Sequence, residues 1–242
     1  TPLSPALGIG AFAELTLVDA GQAVKVSPKA SPEAAGLVGC GIMAGIGAAM
    51  HTGNVGRGDS VAVFGCGGVG NAAIAGARLA GAHTIIGVDL DDRKLAWAKE
   101  FGATHGVLGT EEKPWSAVKK LTGGPYADAV FVTVGAATGF DVAPRYLAPG
   151  GEVIMVGLPH ATEKAKYSPL GMGNASQGIQ GTMMGDTVIR RDIPWMVDLY
   201  KQGRLKLDEL ISNRFSLDQI NEAFDTLADG AAVRQILRFD EA

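Results

Sequence analysis

The 242-residue sequence has little cysteine, few aromatics and little charge: two Cys, 6% Phe, Trp and Tyr, and 19% Asp, Glu, Lys and Arg. Two cysteines, Cys40 and Cys66, cannot make a disulfide framework, and no charged-then-apolar leader opens the chain, so a reducing cytoplasmic setting is expected. Basic charge is not in excess either. With 21 Lys and Arg against 25 Asp and Glu, the net charge of −4 gives no footprint for nucleic acid or an anionic membrane. Long apolar runs are also lacking. The most apolar uncharged stretch, residues 34–50, is 17 residues, at the low end for a membrane span, and is interrupted by Gly36, Gly39, Gly41, Gly45 and Gly47. It reads as a closely packed helix, and the expected partner is a small molecule.

What the sequence has in abundance is glycine, 35 residues, about twice the usual ~7%. A hydrophobic share of 47% excludes a disordered chain, and glycine without a three-residue period, alongside only 11 Pro, excludes collagen. The glycines are therefore expected at tight turns and close backbone approaches. The length allows one large domain or two smaller ones.

Short apolar runs alternate with helical stretches through the middle of the chain, the pattern of βαβ units around a doubly wound parallel sheet, an α/β fold. Strands are expected at 61–64, 84–88, 106–108, 129–132, 152–156 and, more weakly, 179–183. Helices are expected between them at 69–79, 93–101, 116–121 and 138–147. In the flanks the reading gives a strand-like segment at 11–18, amphipathic helices at 189–202 and 217–227, and a last strand at 234–239. The doubly wound domain is placed at 46–185, with 1–45 and 186–242 forming part of a second domain.

After the run VAVF comes GCGGVG, a GxGxxG with glycines at 65, 67 and 70 that opens into a helix. Gly65 permits a tight turn, Gly67 lets backbone approach a pyrophosphate, Gly70 allows close helix–strand packing, and the helix N-terminus offers free N–H groups. In a chain this rich in glycine, a plain packing turn gives the same letters. Asp89 strengthens the nucleotide reading, since it ends the second strand 19 residues after Gly70, where an acid accepts hydrogen bonds from an adenosine ribose. An acid there repels a 2′-phosphate and favours NAD over NADP. Arg93 and Lys94 either reach the adenosine end or are solvated residues of a first helical turn. A methyltransferase is the rival fold; its glycine loop usually follows an acidic strand end, and here Val63 and Phe64 precede it.

The stretch Gly39-Cys40-Gly41 through Ala44-Gly45, VAVFGCGGVG, IIGVDLDDRKLAWAKEFGATH and the VGLP of 156–159 resemble the zinc-dependent medium-chain alcohol dehydrogenases. Within them the chain is most similar to the glutathione-dependent (class III) and mycothiol-dependent formaldehyde dehydrogenases, the opening TPLSPALGIGAFAE resembling the mycothiol branch. The resemblance implies a Rossmann domain binding NAD, joined to a GroES-like catalytic domain holding zinc. It implies hydride transfer between a primary alcohol, or a thiol–aldehyde adduct, and nicotinamide in a homo-oligomer, a dimer or tetramer. It carries Gly65, Gly67, Gly68, Val69 and Gly70 onto the pyrophosphate loop and Asp89 and Lys94 onto the adenosine ribose. Val156, Leu158, Thr182 and Met184 fall on the nicotinamide lining, where apolar packing at strand ends is the other reading. Arg234 falls on a late basic residue that meets the pyrophosphate; an exposed strand charge accounts for it equally. Cys40 falls on a catalytic zinc ligand, although a small buried hydrophobe is the ordinary reading of a lone Cys. The other zinc ligands, the structural-zinc cysteines and the proton relay find no counterpart here, and His51, His83, His105 and His160 show no ligand spacing. The chain thus resembles the C-terminal two-thirds of such an enzyme, with its catalytic residues unassigned; a dinucleotide-binding module without activity is the alternative for these residues alone.

Overall fold

The runs VAVF, TIIGV and AVFV become the centre of a six-stranded parallel sheet. In the computed structural model, which describes residues 8–230 and 232–239, the helical run Pro32–Thr52 precedes that sheet. It is made of α1 (Pro32–Leu37), a π-helical turn Val38–Ile42, α2 (Met43–Gly47) and a second π-helical turn Ala48–Thr52. Then follow β1 (Ser60–Phe64), α3 (Gly68–Ala80), β2 (Thr84–Asp89), α4 (Asp92–Phe101), β3 (His105–Leu108), α5 (Pro114–Leu121), β4 (Ala127–Val132), α6 (Ala137–Val142), β5 (Leu147–Met155), α7 (Pro169–Asn174) and β6 (Gly178–Gly181). The strand order is β3-β2-β1-β4-β5-β6 with every pairing parallel. Val61, Ala62 and Val63 are fully buried, as a strand covered by helices on both faces must be. Phe64 meets Tyr146 edge to face at 4.7 Å between ring centroids, inside a cluster with Val118, Phe140 and Val153.

The chain divides into two compact units, residues 38–188, and residues up to 37 with those from 189 on. The second contains α8 (Ile189–Lys201), β7 (Ile211–Ser216), α9 (Ile220–Ala228) and β8 (Arg234–Arg238), with β7 and β8 paired in parallel and Arg214 forking onto Glu33 at 2.7–3.0 Å. The sequence set the divisions at 46 and 185; they fall earlier and later for a packing reason. A Cβ on Gly45 would stand 2.4 Å from the Val69 carbonyl, so α2 lies backbone against backbone on α3 and belongs with the sheet. The run Pro32–Thr52 is long and apolar enough to cross a membrane by length and composition, yet 56% of its apolar window is buried within the protein.

Several elements differ from the sequence reading. The segment 11–18 is not a strand: Leu15 and Leu17 are 88% and 93% exposed, and it has no ladder partner among the described residues. The opening Thr1 to Leu7 of the TPLSPALGIGAFAE stretch lies outside the described residues. The helix expected to reach 147 stops at Val142, because Pro144 has no N–H to donate back along the helix and the chain tightens into a 3-10 turn, Ala143–Tyr146. β6 ends at Gly181 rather than 183, where three left-handed residues follow. β7, with the half-polar sequence ISNRFS, carries no clear strand signal.

Candidate functional site

The strand order reverses between β2-β1 and β4-β5, and the crevice outside the carboxyl ends of such strands is where open α/β sheets bind ligands. The glycine loop leaves β1 at that point. Gly65 is left-handed (φ +87°), its N–H donates to the Val88 carbonyl at 2.9 Å, and the Thr133 hydroxyl lies 2.9 Å from the Gly65 carbonyl oxygen, within donating distance. Cys66 is held at both ends of its backbone: its N–H donates to Asp89 Oδ2 at 2.7 Å, and Asn71 Nδ2–H donates to its carbonyl at 3.0 Å. Burial, with the Asp89 charge, pushes the Cys66 thiol up to about 12.

Two of the glycines that follow, Gly67 and Gly70, differ in kind. A Cβ on Gly70 would stand 1.7 Å from the Gly65 carbonyl oxygen, so the fold itself forbids a side chain there. A Cβ on Gly67 would meet nothing within 4 Å, and its extended backbone (φ −80°, ψ −163°) suits any residue. Packing does not require glycine at 67, and the space a side chain would fill is open. Gly67 is also the N-cap of α3 and caps no amide with a side chain, so the first-turn N–H groups of Gly68, Val69 and Gly70 lack an intrahelical acceptor. That is an anion-binding arrangement, and it fits a dinucleotide pyrophosphate.

Asp89 closes β2 beside the loop. Its Oδ1 accepts the Asp91 N–H at 3.0 Å while Oδ2 accepts that of Cys66, which fixes the carboxylate and leaves further lone pairs for hydroxyl donors. Asp91 N-caps α4 through the Arg93 N–H and grips the Arg93 guanidinium at 2.7–3.1 Å; those bonds hold the Asp91 carboxyl below its usual range. Arg93 is thereby committed to its neighbour. Lys94 is half-buried in the first turn of α4, where its charge acts on Cys66.

The remaining expected residues divide. Val156 follows β5, donating its N–H to Val132 at 3.0 Å, and Leu158, 89% exposed, comes two residues later. Thr182 and Met184 follow β6, in a turn where Thr182 bonds Thr52 and Met184 is left-handed (φ +52°). These residues, the loop and Asp89 all stand at carboxyl ends of parallel strands. Arg234 opens β8 in the other unit. Cys40 is exposed on the π-helical turn Val38–Ile42. Among the described residues no three His, Cys, Asp or Glu side chains gather as a metal site, so the residues present do not make the three-ligand set a catalytic zinc needs. Thr133, Asn71, Asp91, Thr52 and Asp186 were not singled out from sequence; only Asn71, polar in a run of small and apolar residues from Gly68 to Ala77, leaves a visible signal there.

The family model described as zinc-binding dehydrogenase matches residues 68–202. Alcohol dehydrogenase 2 of Zea mays is 34% identical over 243 residues, covering 99% of this chain and 64% of that protein. S-(hydroxymethyl)glutathione dehydrogenase of Saccharomyces cerevisiae is 36% identical over 249 residues, covering 97% and 62%. The crystal structure of an alcohol dehydrogenase zinc-binding domain protein from Burkholderia ambifaria superposes with a TM-score of 0.86 at 35% identity, over 90% of this chain and 58% of that one. The chain thus spans less than two-thirds of the length of each. With the reversed parallel sheet, the glycine loop on α3 and an acid ending β2, these similarities establish that the chain belongs to the zinc-binding dehydrogenases of the alcohol dehydrogenase type.

Proposed function

We propose that this protein is an NAD-dependent oxidoreductase of the cytoplasm that moves hydride between a primary alcohol, or a thiol–aldehyde adduct, and nicotinamide. The observation that carries the reading is Gly67, a glycine the fold does not need, with open space where its Cβ would stand, at the N-cap of α3, whose first-turn amides lack an intrahelical acceptor. NAD, when bound, supplies the hydride-accepting nicotinamide. The N–H groups at Gly68, Val69 and Gly70 take the pyrophosphate, Asp89 accepts from the adenosine ribose with Lys94 beside it, and backbone near Val156, Leu158, Thr182 and Met184 lines the nicotinamide. Arg234 is assigned to the pyrophosphate on resemblance. Zinc is proposed as the second cofactor of the whole enzyme, with the Cys40 thiolate one of its ligands.

One ligand is short of a zinc site, which favours a second reading for these 242 residues by themselves: a dinucleotide-binding unit without turnover. Self-association is proposed through β6, one of the two edge strands of the sheet. Titration of the chain with NADH, followed by nicotinamide fluorescence and calorimetry, tests the central reading. One NADH per chain, bound more tightly than NADPH, is expected. Absence of binding, or equal binding of NADPH, overturns it.

A further inference from the structure

The turn after β6 is built unusually. Met184, Gly185 and Asp186 are all left-handed, with φ of +52°, +72° and +49°, a conformation that Met and Asp rarely adopt. Such a turn persists only where surrounding contacts over-determine it. Those contacts come from α2 and the π-helical turn after it. A Cβ on Gly47 would stand 2.3 Å from the Gly185 carbonyl, and one on Gly185 would stand 2.6 Å from the Met43 carbonyl, so helix and turn touch backbone to backbone. Thr187 Oγ1 donates to the Met43 carbonyl at 3.2 Å. At the far end Thr52, buried, places its Oγ1 2.6 Å from both Thr182 Oγ1 and Asp186 Oδ2. A carboxylate has no proton to give, so the single Thr52 hydroxyl proton goes to Asp186, and Thr52 accepts that of Thr182. The Asp186 Oδ1 atom closes the turn from the other side, accepting the Met183 N–H at 3.4 Å.

We propose that Thr52 and Asp186 are positioning residues for the nicotinamide end of the dinucleotide site. They hold the Thr182–Asp186 turn in its left-handed form, so that its main chain meets the carboxamide at a fixed place. The inference rests on the reading that the chain binds NAD. The helix bearing Thr52 is seated on α3 through Gly45, whose Cβ would stand 2.4 Å from Val69 O. One rigid element therefore sets the distance between the pyrophosphate amides and the nicotinamide turn. Neither residue lies in a sequence motif that announces such a role, because Thr52 and Asp186 are separated by 134 positions.

ADP-ribose separates positioning from general loss of fold, since it carries the adenosine and pyrophosphate but no nicotinamide. The whole 242-residue chain is titrated with NADH and with ADP-ribose, as wild type and as Thr52→Val, Thr52→Ser and Asp186→Asn. Thr52→Val and Asp186→Asn are expected to weaken NADH by ~5- to 10-fold, the scale of one lost charge-assisted hydrogen bond, while ADP-ribose stays within about twofold. Thr52→Ser, which keeps the hydroxyl, is expected to bind both as wild type does. Equal losses for the two ligands, or no loss for either, overturn the inference. If Asp186→Asn fails to fold, the Val and Ser substitutions at Thr52 decide alone. Wild-type chain that binds neither ligand removes the NAD reading itself, a different outcome from wild-type binding that the variants leave untouched.

Discussion

The Asp89 carboxylate accepts the Cys66 backbone N–H at 2.7 Å, which joins the end of β2 to the glycine loop after β1. One side chain therefore has two tasks. It orients the loop whose amides are proposed to take the pyrophosphate, and it is the acid proposed for the adenosine ribose.

Asp89→Ser is accordingly expected to do more than alter cofactor choice. Loss of the charged acceptor should cost ~1.5–3 kcal/mol of stability and weaken NADH by tenfold or so through the slackened loop. The preference over NADPH should shrink as the repulsion of a 2′-phosphate is removed, but not reverse, because Arg93 is bound up by Asp91. Calorimetry with both cofactors, beside urea unfolding, measures the two effects; a variant as stable as wild type and selective for NADPH would refute both.

The two inner glycines make a sharper pair. Gly70→Ala must displace the Gly65 carbonyl and should destabilise the chain by ~2 kcal/mol or more. Gly67→Ala meets no protein atom, and its gain in unfolded-state restriction roughly offsets its poorer N-capping, leaving stability within about 0.5 kcal/mol. Its NADH affinity should nonetheless fall at least ~10-fold, since a methyl group then occupies the path of the pyrophosphate. Retained NADH affinity in Gly67→Ala would remove the observation on which the proposed function stands.

The sheet was legible because its signals are local. VAVF and TIIGV are short β-branched runs bounded by glycine and charge, and the spacing from Gly70 to Asp89 is a single βα unit. The residues that hold the site were not legible, since Thr52 and Asp186, like Thr133 and Gly65, meet only after the chain has folded. The strand-like segment at 11–18 misled for the converse reason: an apolar run becomes a strand only when another strand lies beside it. The turn at Met184 was invisible because nothing in its sequence demands left-handed residues on both sides of Gly185.

Burial of Cys66 sets a titration and a pH dependence. At pH 8, Ellman's reagent should count one thiol in the folded chain, the exposed Cys40, and two in denaturant. The Cys66 thiol is raised from 9.0 to about 12 on folding, so between those values the unfolded state binds fewer protons and stability falls as pH rises. Its full contribution, present below pH 9, is worth up to ~4 kcal/mol and is lost progressively toward pH 12. Tyr146, also pushed up to about 12 by burial, adds to the fall above pH 10. Urea unfolding from pH 8 to 11 should show a shallower decline in Cys66→Ala than in wild type; parallel declines would contradict the assignment.

At the sheet edge, β6 offers unpaired backbone groups along Gly178–Gly181. Sedimentation at micromolar concentration should detect dimers, and Gln180→Lys, which sets like charges together across a two-fold axis, should shift them to monomer. A wild-type monomer at those concentrations counts against this edge as an interface.

Metal content separates Cys40 as a ligand from Cys40 as a site. Its exposed position on the π-helical turn Val38–Ile42 leaves the thiol accessible, but a catalytic zinc needs three protein ligands, and no other His, Cys, Asp or Glu pair joins it among the described residues. Partial coordination by one thiolate is too weak to survive dialysis, because zinc affinity is built from several deprotonated ligands held together. The 242-residue chain should therefore retain well under one zinc and oxidise no alcohol, while NADH binding through the Gly65–Gly70 loop persists unchanged in Cys40→Ser. Emission spectrometry after dialysis, with turnover assayed on the same sample, gives the answer. One tightly held zinc per chain, lost in Cys40→Ser, would mean that histidines such as His51 are drawn into the site, and turnover would mean that the chemistry needs fewer ligands than the geometry supplies.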